Sequence, residues 1–196
     1  KSGVKAELTV IPLSHWKREL WYDETGLKFI PPSPNMPDLL TATLYPGLCL
    51  IEGTNISEGR GTNLPFQIFG NKLADKLNDL NLAGVHFKDT TFIPVPLKGR
   101  AENPKFRDRE CSGAKVIVTD REVFKPYDTG IQILKALYQA NPDSVRFRSA
   151  GLQRLSGTDK LEPAIINQQK LESLFNSWQE ELQQFMRIRE RYLLYE

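Results

Sequence analysis

Hydrophobic and polar positions alternate from Ala6 to Leu13, with Leu8 and Val10 on one side and Thr9 and Ile11 on the other. That period of two predicts a strand, one that starts almost at the first residue. Trp16, Trp21 and Tyr22 follow in a polar setting, then the apolar stretch Leu27–Ile30 and the prolines Pro31, Pro32, Pro34 and Pro37. Proline fixes φ and donates no amide hydrogen bond, so this stretch is a stiff connection and not an inner strand or helix interior. A short helix is expected over Asp38–Leu44, closed by Tyr45-Pro46-Gly47, and a short buried strand over Leu48–Ile51.

Glu52–Asn63 holds three glycines, two threonines, two asparagines and a serine, and reads as a loop. Phe66–Phe69 predicts a strand and Asn71–Leu82 a helix, capped by Asn71 and stopped by Gly84. Val85–Phe87 and Thr91–Val95 alternate like a pair of strands, and Lys98–Glu110 is a charged, exposed loop. Ala114–Thr119 is the clearest strand, its consecutive Val116, Ile117 and Val118 pointing to burial on both faces. Asp128–Gln139 forms a helix with Ile131, Leu134, Leu137 and Tyr138 inward, ended by Asn141-Pro142. A helical turn around Leu152–Leu155 precedes Gly157. Leu171, Leu174, Phe175, Trp178, Leu182 and Phe185 then predict one long amphipathic helix to about Tyr192. The expected class is α+β (mixed α/β): a single compact domain over residues 1–196, with a mixed sheet, flanking helices and that long C-terminal helix.

Composition narrows the function more than the fold. The 196 residues are 40% hydrophobic, which excludes a disordered chain. The apolar runs are too short to span a membrane. With 26 Lys+Arg interleaved among 24 Asp+Glu, the net charge of +2 offers no nucleic-acid footprint. Two cysteines and two histidines make a metal centre an unattractive reading, and no organic cofactor is indicated.

The segment with chemical content is Tyr45-Pro-Gly-Leu-Cys-Leu-Ile-Glu52-Gly-Thr-Asn55-Ile-Ser-Glu58-Gly-Arg60-Gly-Thr62. An apolar run ends in a carboxylate and a glycine-spaced polar loop follows at once, the arrangement in which a rigid element presents ligand contacts. Glu52 and Glu58 are the candidate acid, base or orienting groups. Asn55 suits an amide or hydroxyl, Arg60 a carboxylate gripped by two parallel hydrogen bonds, and Thr62 completes the candidate binding set. The bland alternative is a Glu52–Arg60 ion pair that merely closes the loop. No Gly-Lys-Ser/Thr follows the glycines, so this is not a phosphate loop. His15 and His86 read as structural histidines and Cys49 as a buried thiol. A Cys49–Cys111 disulfide and two free thiols are both compatible with the sequence. Trp16, Trp21 and Tyr22 fit either packing or a sugar-stacking platform.

Tyr45-Pro46-Gly47, the block Glu52–Thr62, Pro65-Phe66, Cys111 with the strand end Val116–Asp120, Leu155-Ser-Gly-Thr-Asp159 and Tyr192-Leu-Leu-Tyr195 closely resemble the NamZ family of bacterial exo-β-N-acetylmuramidases. The resemblance implies a glycoside hydrolase that releases non-reducing terminal N-acetylmuramic acid from peptidoglycan-derived sugar. It also implies a location in the cell envelope, periplasmic or secreted. It further implies that residues 1–196 are the C-terminal part of a two-part protein. The partner is then an N-terminal Rossmann-like half that carries key glutamates, with the active site in the cleft between. Lys1 in place of Met and the early strand agree with that expectation. On this reading Glu52 and Glu58 line the cleft, Arg60 meets the lactyl carboxylate of muramic acid and Asn55 its acetamido group.

Overall fold

The computed structural model describes Gly3, residues 5–71 and residues 80–195. The chain divides into two compact units, Ile30–Ser177 and a second formed by Lys1–Phe29 with Trp178–Glu196. The class is α+β, as expected, with helices around a small three-stranded sheet.

In the larger unit, α1 (Leu39–Leu48) starts where Asp38 accepts a hydrogen bond from the Thr41 amide at 2.7 Å. Tyr45-Pro46-Gly47 does not end it, contrary to expectation. The helix passes through Pro46 and carries Gly47 onto α2 (Pro126–Ala140). There a Cβ on Gly47 would stand 1.8 Å from the Pro126 carbonyl oxygen, and one on Gly130 would stand 2.3 Å from the Gly47 oxygen. Two glycines facing each other let the helix backbones touch, and the packing gained offsets the hydrogen bond that Pro46 forfeits. The expected strand Leu48–Ile51 is instead the end of α1 and a 3-10 turn over Cys49–Gly53. Leu48, Leu50 and Ile51 are fully buried there, and a short apolar run buried all round carries no period to separate strand from helix.

The sheet has the order β1-β3-β2, from β1 (Ile68–Asn71), β2 (Val85–Phe92) and β3 (Cys111–Val118). Both pairings are antiparallel, so the sheet expected to be mixed is not. No crossover helix joins two of these neighbouring strands within the described residues, and parallel pairing needs one. The strand expected to be buried on both faces, β3, is the central one, with Cys111, Ala114 and Val116 in the core, but Ile117 and Val118 are only partly buried. Val85–Phe87 and Thr91–Val95 are not two strands: β2 runs unbroken from Val85 to Phe92 along β3. The expected helix Asn71–Leu82 falls almost entirely outside the described residues, and Asn71 itself ends β1. Helix α2 buries Ile131, Leu134 and Leu137 as its period predicts. It is followed by α3 (Ser149–Ser156), α4 (Leu161–Ile166) and α5 (Leu171–Ser177).

The second unit contains a 3-10 turn over Tyr22–Thr25 and α6 (Gln179–Glu190). The long C-terminal helix is therefore two, interrupted at Trp178. Leu171 and Leu174 are buried whereas Leu182, Phe185 and Met186 are exposed, so one apolar stripe serves two different units. Ala6–Leu13 is not a strand: it finds no ladder partner among the described residues, and Leu8, Ile11 and Leu13 are exposed. Alternation supplies faces, but a strand also needs a neighbour to accept its hydrogen bonds. Trp16 packs edge-on against Tyr195 and Tyr22 against Phe29, which favours the packing reading of these aromatics. Cys49 and Cys111 are buried thiols, and no disulfide joins them to each other.

Candidate active site

The loop after Glu52 is pinned to its surroundings by backbone hydrogen bonds on several sides. Ser57 and Gly70 exchange both bonds, at 2.9 and 3.0 Å, tying it to β1. The Asn55 amide reaches the Arg146 carbonyl at 3.0 Å, the Arg148 amide reaches Gly53 at 2.8 Å, and the Val95 amide reaches Gly61 at 2.9 Å. Gly59 and Gly61 have φ of 79° and 84°, a region that side chains disfavour. A Cβ at either would strike the protein itself, Ile68 and Leu64 in one case and Pro104 and Val95 in the other. These glycines let the chain approach its own backbone.

Glu52 sits at the end of the 3-10 turn, with its Oε1 2.8 Å from Arg60 Nη2. The same guanidinium lies 3.8 Å from Glu58 Oε1 through Nε and over the Phe66 ring, with 5.3 Å from its carbon to the ring centroid. Phe66 holds that ring in place from a left-handed backbone (φ 59°), its amide bonded to the Glu58 carbonyl at 2.7 Å. Lys105 completes the cluster. Its Nζ is 2.9 Å from Glu58 Oε2 and donates to the carbonyls of Ile56 at 2.8 Å and Ile51 at 3.2 Å. Two carboxylates and two cations therefore alternate, Glu52–Arg60–Glu58–Lys105, and Arg148 donates to the Glu52 carbonyl oxygen at the open end.

Access divides the cluster. Glu58 is 5% exposed and closed in, whereas the Glu52 side chain is 20% and that of Arg60 36% exposed. Glu52 opens on a groove of about 610 Å³ lined with Arg148, Ser149, Gly151 and Arg154 at the start of α3 and along it. Burial raises the Glu52 carboxyl above its ordinary 4.5. Arg60, Lys105 and Arg148 oppose the rise and the nearby Glu58 adds to it. Burial likewise lowers the Lys105 ammonium, with Glu58 pulling the other way. Cys49 is pushed up to about 11, first by burial and then by Glu52.

The sequence-derived set thus separates. Glu52, Glu58 and Arg60 come together. Asn55 is exposed, but its side chain is tied to the chain's own backbone, donating to the Ser144 carbonyl at 2.9 Å and accepting from the Arg146 amide at 2.9 Å. Thr62 does the same, donating to Gly59 at 2.7 Å and accepting from the Leu64 amide at 3.0 Å. Lys105, Arg148 and Arg154 were missed. Lys105 lies in a loop read only as exposed, and no local pattern marks it as the cation that reaches the glycine loop.

Residues 43–195 match the family described as "Exo-beta-N-acetylmuramidase NamZ, C-terminal". The chain belongs to the NamZ family. Residues 1–40 match the same family's N-terminal description. The chain is similar to the peptidoglycan beta-N-acetylmuramidase NamZ of Bacillus subtilis strain 168, at 38% identity over 98% of the chain and 47% of that protein. Two solved structures of DUF1343 family proteins from Bacteroides fragilis are also similar. One has a TM-score of 0.75 at 27% identity, covering 92% of this chain and 49% of its own. The other has a TM-score of 0.69 at 31% identity, covering 85% and 44%. The chain spans about half the length of each of these relatives. Both regions of the family description are represented, and they meet at the start of α1.

Proposed function

We propose that this chain contributes one wall of the active site of an exo-β-N-acetylmuramidase, releasing N-acetylmuramic acid from the non-reducing end of peptidoglycan-derived sugar. On this reading it is the C-terminal part of a two-part protein and works with an N-terminal half. The observation that carries the proposal is Glu52, a half-buried carboxyl with a raised pKa at the edge of a groove. Glycoside hydrolysis needs one carboxyl that keeps its proton long enough to give it to the departing glycosidic oxygen. Glu52 serves as that acid: the C1–O bond breaks, the oxygen takes the Glu52 proton, and water adds at C1. A second carboxylate, from the N-terminal half, accepts the proton of that water. Arg60 orients Glu52, and the enclosed Glu58, held by Lys105, fixes Arg60 as a positioning residue. The substrate belongs to the cell wall, so the proposal includes a cell-envelope location, periplasmic or secreted, which fractionation of cells tests.

The direct experiment is release of muramic acid from a muramyl disaccharide by the full-length protein. Glu52→Gln is expected to lower kcat by about 100-fold or more, the usual size of a general-acid contribution. Unchanged turnover removes Glu52 from the mechanism. A second reading, a non-catalytic module that docks on the catalytic half, is favoured by the hydrogen bonds that tie the Asn55 and Thr62 side chains to the chain's own backbone. It expects Glu52→Gln to weaken the association of separately produced halves while the covalent protein keeps its turnover.

A further inference from the structure

Next to the Glu52 groove lies a second one, of about 520 Å³, lined by Thr54, Asn55, Lys105, Arg107, Arg109 and Arg148 around Phe106. The two grooves share Arg148, and Thr54 and Asn55 follow Glu52 by two and three positions. Cations dominate this lining and no carboxylate belongs to it. The loop that carries them is held rigidly. Lys105 is riveted to the carbonyls of Ile51 and Ile56, and Phe106 and Asp108 take left-handed φ of 55° and 56° on either side of Arg107. The Asp108 amide is fixed to the Pro94 carbonyl at 2.8 Å. Glu58 stands behind the lining, 2.9 Å from Lys105 Nζ, and engages that ammonium. Asp108 is 3.1 Å from Arg107 Nε, but both side chains of that pair are more than half exposed, so solvent screens it and leaves the guanidinium able to exchange partners.

We propose that this groove is a subsite for carboxylates on the sugar chain beyond its terminal residue. The assignment rests on the muramidase reading, which puts the terminal muramic acid at Glu52 and directs the remaining sugars across Arg148. Chains of this kind carry carboxylates at intervals, from lactyl groups or from attached peptides. Arg107 and Arg109 present planar donor forks that match a carboxylate. The neutral walls Thr54 and Asn55 leave room for the sugars between.

The test is equilibrium binding to the 196-residue chain, which requires no turnover. A peptide-free tetrasaccharide of alternating N-acetylglucosamine and N-acetylmuramic acid is compared with neutral chitotetraose. The anionic glycan is expected to bind about tenfold tighter at low salt, the combined size of a few exposed charge contacts. That advantage is expected to vanish at high salt and in the double variant Arg107→Ala/Arg109→Ala, whose thermal unfolding serves as the folding control. A peptide-bearing tetrasaccharide that gains further affinity assigns the site to peptide carboxylates, and one that gains nothing assigns it to the lactyl groups. Either result upholds the subsite. No preference between the two tetrasaccharides, absence of binding by both included, overturns it. So does a preference that survives the double substitution, or equal binding of an oligonucleotide of the same charge. Loss of muramic acid release in Glu52→Gln with no glycan preference would leave the catalytic reading standing and remove only the subsite.

Discussion

Lys105 Nζ lies 2.9 Å from Glu58 Oε2, joining a charged loop to the glycine-spaced loop across 47 positions of sequence (105 − 58). The ammonium is about one quarter exposed and the carboxylate almost fully enclosed, so each is the other's main compensation for leaving water. Replacing Lys105 with Met removes the cation and the donor to the Ile51 and Ile56 carbonyls while preserving the stem. The expected cost is about 3 kcal/mol, read as a shift in the urea midpoint, because a buried carboxylate is left facing Arg60 alone. Glu58→Gln in the same background is expected to recover part of that loss. Additive losses in the double variant would break the proposed coupling.

The raised carboxyl of Glu52 has a definite consequence for stability. Between the ordinary 4.5 and its folded value, the folded chain keeps a proton that the unfolded chain has already released. Stability contributed by Glu52 is therefore present at low pH and lost as pH rises through that window. Glu52→Gln abolishes this slope. The stability of the wild type relative to the variant is expected to decline as pH rises above the ordinary carboxyl value of 4.5, measured by urea unfolding at several pH values. A difference that does not change with pH would return the carboxyl to its ordinary range.

Asn55 separates a structural role from a binding one. Its amide bridges the Ser144 carbonyl and the Arg146 amide, holding the segment before α3 against the loop. Asn55→Ala is expected to lose about 1–2 kcal/mol of stability, the cost of two hydrogen bonds at a site open to water. Its effect on KM for a muramyl disaccharide should be no more than about twofold. A tenfold rise in KM with no loss of stability would return Asn55 to the substrate.

Gly47 and Gly130 test the helix contact that sets the site's foundation. Gly47→Ala puts a methyl group into the Pro126 carbonyl, and the crossing of α1 and α2 has to open. The expected loss is about 3 kcal/mol in thermal or urea unfolding, at the upper end for overpacking by one carbon. Since α1 leads straight into the turn that carries Glu52, the same variant is expected to lower turnover in the full-length protein. A neutral substitution would show that the two helices are not in backbone contact.

Sequence alone determined the elements whose own period or punctuation suffices. The helix over Asp128–Gln139, the central strand around Val116, the proline-stiffened connection and the loop after Glu52 are all local consequences of residue order. So is the wording of the Glu52–Thr62 block, which carries the family resemblance. Tertiary structure decided the rest, because the deciding interactions are distant in sequence. Pro46 stays inside α1 because Gly47 meets Gly130, and Leu48–Ile51, buried from all directions, has no period of its own that separates helix from strand. Ala6–Leu13 has the pattern of a strand and no ladder partner among the described residues. At the site, the sequence put Glu52, Glu58 and Arg60 within nine positions of one another, but their ranking came from burial. The fold encloses Glu58, opens Glu52 to a groove and brings in Lys105 and Arg148 from remote loops. Desolvation and the field of distant charges act through space, and no order of residues within one loop encodes them.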